Sequence, residues 1–250
     1  MDRDPNTKET RRGPWLGGFL ILTAILSMVS IVAMVRSLAT MTYLNIHFRT
    51  EVDPFSRAVS YYAFYGDGRE EFATSAIVLA AGTLTTLVGL RSAGLHLGAP
   101  ATTFFGIWCV SLTLCAIFPT DNSKSVTSVS GLIHQVAGAS LFLSLPLAGL
   151  SLAKRLVTRV HWARVGRAVR RMALATIVLA ATYLATRLPD VFPGLAIPGM
   201  LDGRGISGLV QRTLFVLEML MLMALAVHLL RVTVSTARER RMPARAEVAG

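Results

Sequence analysis

Glu218 is the one carboxylate deep inside a long apolar run of this 250-residue sequence. A charge near the middle of a bilayer costs about 2.5–3.5 kcal/mol on insertion scales, so such a residue must face the protein interior, find a partner or carry a proton. Gln211 lies seven residues earlier, nearly on the same helical face. Arg212 falls on a different face and nearer the end of the run, so it is not an obvious ion-pair partner for Glu218. These types fit a proton- or ligand-binding carboxylate, and equally a buried interhelical hydrogen bond.

A second candidate pairs Asp121, in the stretch Phe118-Pro119-Thr120-Asp121-Asn122, with His134, which lies between Gly131 and Gly138. On adjacent spans, Asp and His could act as an acid/base pair or share a metal. An Asp after Pro-Thr more often caps a turn. A His between glycines more often makes an interhelical hydrogen bond. His47, His96, His161 and His228 are scattered, and no HExxH or His-x-x-x-His pattern exists. Nothing in the sequence calls for a cofactor or a resident metal. Cys109 and Cys115 stand six apart in one apolar run, about 9 Å along a helix, too far for a disulfide.

The elements that must position these groups are membrane helices. Hydrophobic residues make up 53% and charged residues 16%, against about 25% charged in soluble domains. Mean hydropathy is +0.55. Six spans follow from the apolar runs, at about 17–40, 73–90, 99–118, 131–152, 172–188 and 208–230. They predict an all-α, six-helix bundle over 14–232, with short tails at 1–13 and 233–250. Thr23, Ser27, Ser30 and Ser37 in the first span, and Thr176, Tyr183 and Arg187 in the fifth, recur at helical spacing, the pattern of contacts between helices or of a cavity lining.

The net charge of +11 would suggest nucleic acid in a soluble chain, but its distribution points to topology instead. With both termini inside, the inner segments hold Arg3, Lys8, Arg11, Arg12, Arg91, seven basic residues in 154–171 and five from Arg231 to Arg245, seventeen in all. The outer side holds eight Lys and Arg, matched by eight acids. Both termini are therefore expected in the cytoplasm of a cell that holds the chain in its plasma or inner membrane. No nucleic-acid partner is expected. The loop 154–171 carries no acid and is a candidate contact for anionic lipid headgroups.

Three groups of residues together resemble one family. They are Asp53-Pro54-Phe55-Ser56 with Ser60-Tyr61-Tyr62; Phe118-Pro119-Thr120-Asp121 with Thr127, Gly131 and His134; and Gly208-Leu209-Val210-Gln211-Arg212 with Glu218. The chain is similar over about residues 15–235 to the bacterial six-helix membrane family known as domain of unknown function 998. Ala63-Phe64 stand where the resemblance leads one to expect a glycine. The resemblance implies a six-helix fold and marks Asp53, Ser60, Gln211, Arg212 and Glu218 as candidate ligand- or proton-binding positions. It implies no reaction.

Three functions are open at this point. The first is a non-enzymatic protein that binds, moves or senses a lipid or other amphiphile. The second is a hydrolase or transferase at the outer leaflet, with Asp121 and His134 and a contribution from Asp53 or His47. The third is a small-solute or proton-coupled transporter that uses Glu218.

Overall fold

Long apolar runs leave a chain in hydrocarbon only one way to satisfy every amide within one segment, the α-helix. The computed structural model describes residues 15–122, 126–191 and 203–246, with side chains placed for 17–122, 126–187 and 205–239. Six α-helices form: α1 (Trp15–His47), α2 (Gly68–Ser92), α3 (Ala99–Ile117), α4 (Val129–Leu156), α5 (Ala163–Val191) and α6 (Ser207–Ala246). A short 3-10 helix, Val59–Phe64, sits in the long connection between α1 and α2. Among the described residues there is no strand. All six helices are long and apolar enough to cross a bilayer, and the chain is a multi-pass membrane protein.

The helices outrun the spans expected from hydropathy. Helix α1 continues past residue 40 to His47, so His47 closes a helix instead of lying in a loop. Met41–Asn45 contains no proline or glycine to stop it. The expected loop 154–171 shrinks to a turn at 157–162, because α4 runs to Leu156 and α5 begins at Ala163. Arginine is a good helix former, so Arg164, Arg167, Arg170 and Arg171 extend α5 beyond its apolar part. Residues 233–246, expected as tail, continue α6. The expected tail 1–13 lies outside the described residues.

Each helix packs on the next in sequence, and α1 packs on α6 to close the ring. Helix α6 also touches α2 and α4, which places it toward the middle of the bundle. Small residues let the backbones approach. A methyl group on Gly82 would come within 2.6 Å of the Ala33 methyl, which locks α2 against α1. The hydroxyl stripe of α1 is buried, as its spacing predicts. Thr23 and Ser27 donate back to the carbonyls one turn earlier. Ser30 instead bonds Thr86 across the α1–α2 interface. Cys109 and Cys115 are free and buried in α3. The opposite face of α1 (Phe19, Leu22, Ile25, Val29, Val32) is exposed, as befits lipid contact.

The bundle has two unlike ends. The long-loop end carries residues 48–67, the α3–α4 connection and the start of α6. The short-turn end carries the turns at 93–98 and 157–162.

Candidate functional site

At the long-loop end, the first connection folds down onto the start of α6. Arg212 is buried, and its guanidinium bonds only neutral oxygens. Its Nε donates to Asn45 Oδ1 at 2.7 Å. Nη1 donates to the carbonyls of Pro54 (2.9 Å), Arg57 (2.7 Å) and Gly208 (3.1 Å). Nη2 donates to the Tyr62 hydroxyl at 2.8 Å, and that hydroxyl donates on to Asn45 Oδ1 at 2.7 Å. The planar fork suits several acceptors at once, a task a lysine ammonium performs poorly. Gly208 is needed because a side chain there would run into the Pro54 and Arg57 carbonyls. Leu209 N donates to Phe55 O at 3.0 Å, and Ser207 Oγ to Ser56 O at 2.9 Å. Asp53 closes its own turn, accepting from Ser56 Oγ and from Phe55 N. Those bonds, helped by the Arg212 charge, hold its carboxyl below the usual range.

The α3–α4 connection is built by two capping devices. Asp121 accepts from Thr127 N (2.8 Å), Ser128 N (3.1 Å) and Ser128 Oγ (2.6 Å). Ser128 is the N-cap of α4 and accepts from Gly131 N. The Ser128 hydroxyl and the Thr127 amide lower the pKa of Asp121. His134 serves the other helix. Its Nδ1 lies 2.7 Å from the Phe118 carbonyl, at the C-terminal end of α3. The neutral ring must therefore carry its proton on Nδ1. Pro119 has no amide to offer the Cys115 carbonyl, and the His134 ring lies against that carbonyl too. No hydrogen bond joins Asp121 to His134; each satisfies a different helix end.

His134 also faces a chamber. An inner cavity of about 80 Å³ lies among α1, α2, α3, α4 and α6, lined by Thr40, Leu44, Ser60, His134, Gln211 and Phe215 among others. It holds room for several waters, at about 10–15 Å³ each. A larger space of about 290 Å³ adjoins it, lined by Thr120, Gln135, Tyr183 and Arg187. Ser60, His134, Gly138, Phe142 and Gln211 belong to both walls. The two spaces adjoin across these five residues, the larger as a vestibule and the smaller as an inner pocket. Leu44, Leu112, Leu141, Phe142 and Phe215 make the inner part mostly apolar. Its polar groups are Ser37, Thr40 and Ser75 as well as Ser60, His134 and Gln211.

The roof of the chamber hangs from Gln211, whose Oε1 accepts from Val59 N at 2.8 Å. Val59 and Ser60 thereby line the cavity. Three sequence candidates, Ser60, His134 and Gln211, meet here. Asp53, Asp121 and Arg212 stand in the supporting structure instead. Glu218 lies further along α6, wholly buried, with neither carboxylate oxygen hydrogen-bonded among the described residues. Phe215, one turn earlier, lines the chamber and stacks on Trp108 at 6.4 Å, and Trp108 Nε1 donates to Thr83. Sequence reasoning noted Arg187 as part of a helical stripe but did not foresee its place at the vestibule. It missed Asn45, Thr40 and Phe215, which carry no signal beyond helical periodicity.

Among the described residues, no group of three or more His, Cys, Asp or Glu side chains is arranged to hold a metal ion. No curated protein and no solved structure matches the chain. A family of proteins of unknown function, DUF998, matches residues 31–228, from the middle of α1 to just past the middle of α6. The three groups of residues that carried the resemblance are those that cap the α3–α4 hairpin, clamp the first connection to α6 and wall the chamber. The chain belongs to the DUF998 family.

Proposed function

We propose that the protein binds an amphiphile, a lipid or lipid-like molecule, in the chamber at its long-loop end. The observation that carries this reading is a pair of adjoining spaces of unlike polarity that share five lining residues. Arg187, Gln135 and Thr120 border the vestibule, and His134, Ser60 and Gln211 stand at the junction. Leucine and phenylalanine side chains line the inner pocket. Such a pairing matches a polar headgroup joined to an apolar chain, the usual plan of a ligand site with a few placed polar groups in an apolar wall. By the seventeen-to-eight division of Lys and Arg, the chamber opens toward the outer leaflet of a plasma or inner membrane.

The hydrolase reading has lost a member, because Asp121 is committed to three capping donors and does not orient His134. His134 alone, with its Nδ1 proton given to a carbonyl, supplies recognition more readily than a relay.

Gly138 provides the test. It lines both parts of the chamber, and a Cβ there meets nothing within 4 Å. Gly138→Leu should fill the junction while leaving the fold intact, and it replaces a poor helix former with a good one. Mass spectrometry of material that co-purifies in mild detergent should show an amphiphile on the wild type and its loss from Gly138→Leu, with unchanged thermal stability. Equal retention by the two proteins would refute the site.

A further inference from the structure

We propose that the short-turn end carries a second site, specific for the phosphate-bearing headgroup of an anionic lipid. It occupies a cleft of about 300 Å³ between the α2–α3 turn and the end of α4. Four basic side chains line the cleft: His96 from the turn, Lys154 and Arg155 from the last turn of α4, and Arg159 from the α4–α5 turn. None of the residues that line the cleft is an acid, and the segments 92–98 and 152–171 contain no Asp or Glu.

Arg155 is exposed and lies beside Gly98. Its guanidinium lies over Gly98, where a Cβ would come within 2.7 Å of Nε and Nη2. Gly98 also has a φ of 79°, a backbone conformation that side chains resist. The glycine thus makes room for the arginine as well as for the turn that starts α3. A guanidinium beside the cleft offers its donors in the fork that phosphate oxygens accept.

The floor of the cleft decides between a lipid and a free anion. Leu95, Leu152 and Leu156 line it, so one wall offers hydrocarbon contact that inorganic phosphate does not use. In the next turn Val157 and Val160 are exposed, Val160 at 90%. Apolar side chains among arginines seat a turn in the interfacial region, at the depth of headgroups. The site is separate from the chamber, which lies at the opposite end of the bundle, and it does not depend on what the chamber binds.

The full-length protein in mild detergent is titrated with phosphatidylglycerol and, separately, phosphatidylcholine, and bound lipid is counted by native mass spectrometry. Phosphatidylglycerol should bind in preference. The pair Arg155→Gln and Arg159→Gln should weaken it roughly 100-fold or more, because each removes a charge-assisted hydrogen bond to the headgroup. The control pair Arg167→Gln and Arg170→Gln removes the same charge from exposed positions of α5 outside the cleft and should change binding little. Gly98→Ala keeps every charge but displaces Arg155, and should also weaken binding. Equal losses from both double variants would overturn the proposal, since diffuse charge would then explain the attraction. It would also fall if inorganic phosphate alone displaced the lipid at equal concentration, because the site would then belong to a free anion.

Discussion

Replacing Glu218 by leucine should make this protein more stable. The residue is wholly buried on α6, and neither carboxylate oxygen has a hydrogen-bond partner among the described residues. A buried polar group left unsatisfied costs about 1–3 kcal/mol, and leucine removes both oxygens at similar volume. A change of shape in a packed core takes back less than about 1.5 kcal/mol. The net gain is on the order of 1–2 kcal/mol, and the midpoint of thermal unfolding should rise by roughly 2–4 °C for each kcal/mol. Glu218→Gln keeps two polar atoms in the same place and should be nearly silent. Tryptophan fluorescence on heating in mild detergent measures both, with Trp108 as a reporter inside the bundle. A loss of more than about 1 kcal/mol in Glu218→Leu would refute the reasoning, because it would reveal a partner that holds the carboxylate. If stability rises while ligand retention falls, the acid is kept for its chemistry, at the expense of stability.

Three further outcomes follow from the geometry. Arg212→Lys keeps the charge but cannot reach Asn45, Tyr62 and three carbonyls together, so it should cost about 3 kcal/mol or more and expose the 48–58 connection to limited proteolysis. The Asp121 pKa is depressed in the fold, so its contribution is fully present above its ordinary value of 3.8 and lost as pH falls through the folded value. Stability of the wild type should therefore fall on acidification below about pH 4 more steeply than that of Asp121→Asn, and parallel acid titrations would contradict the capping role. Single cysteines placed at 127–128 should react with an impermeant reagent in intact cells while those at 158–161 stay protected, and the reverse pattern would invert the orientation.

The six helices were legible because an apolar run long enough to cross a bilayer has no alternative structure there. Their ends were not, because hydropathy reports where hydrocarbon stops and helix propensity continues past it. Arg164 to Arg171 show this: the same arginines that mark a membrane boundary are good helix formers, and α5 takes them in. Asp121 and His134 were found as a pair by sequence proximity, yet proximity could not say that one caps the start of α4 and the other the end of α3. The Arg212 clamp was out of reach for another reason. Four of its five partners stand 150 or more residues away in sequence, and two of those four are main-chain carbonyls, which no residue type announces.

The clamp and the chamber are one construction. Arg212 holds the Pro54 and Arg57 carbonyls, and Gln211, its neighbour on α6, holds the Val59 amide. Together they fix a stretch that would otherwise be a free loop between α1 and the 3-10 helix. That stretch places Ser60 over the inner pocket, opposite His134, which the α3–α4 hairpin holds in turn. The inner pocket therefore has a roof anchored to α6 and a wall anchored to α3. Neither can shift without breaking these hydrogen bonds. A cavity kept open by that many bonds, in a bundle that close packing would otherwise fill, is the feature of this fold that packing alone does not require.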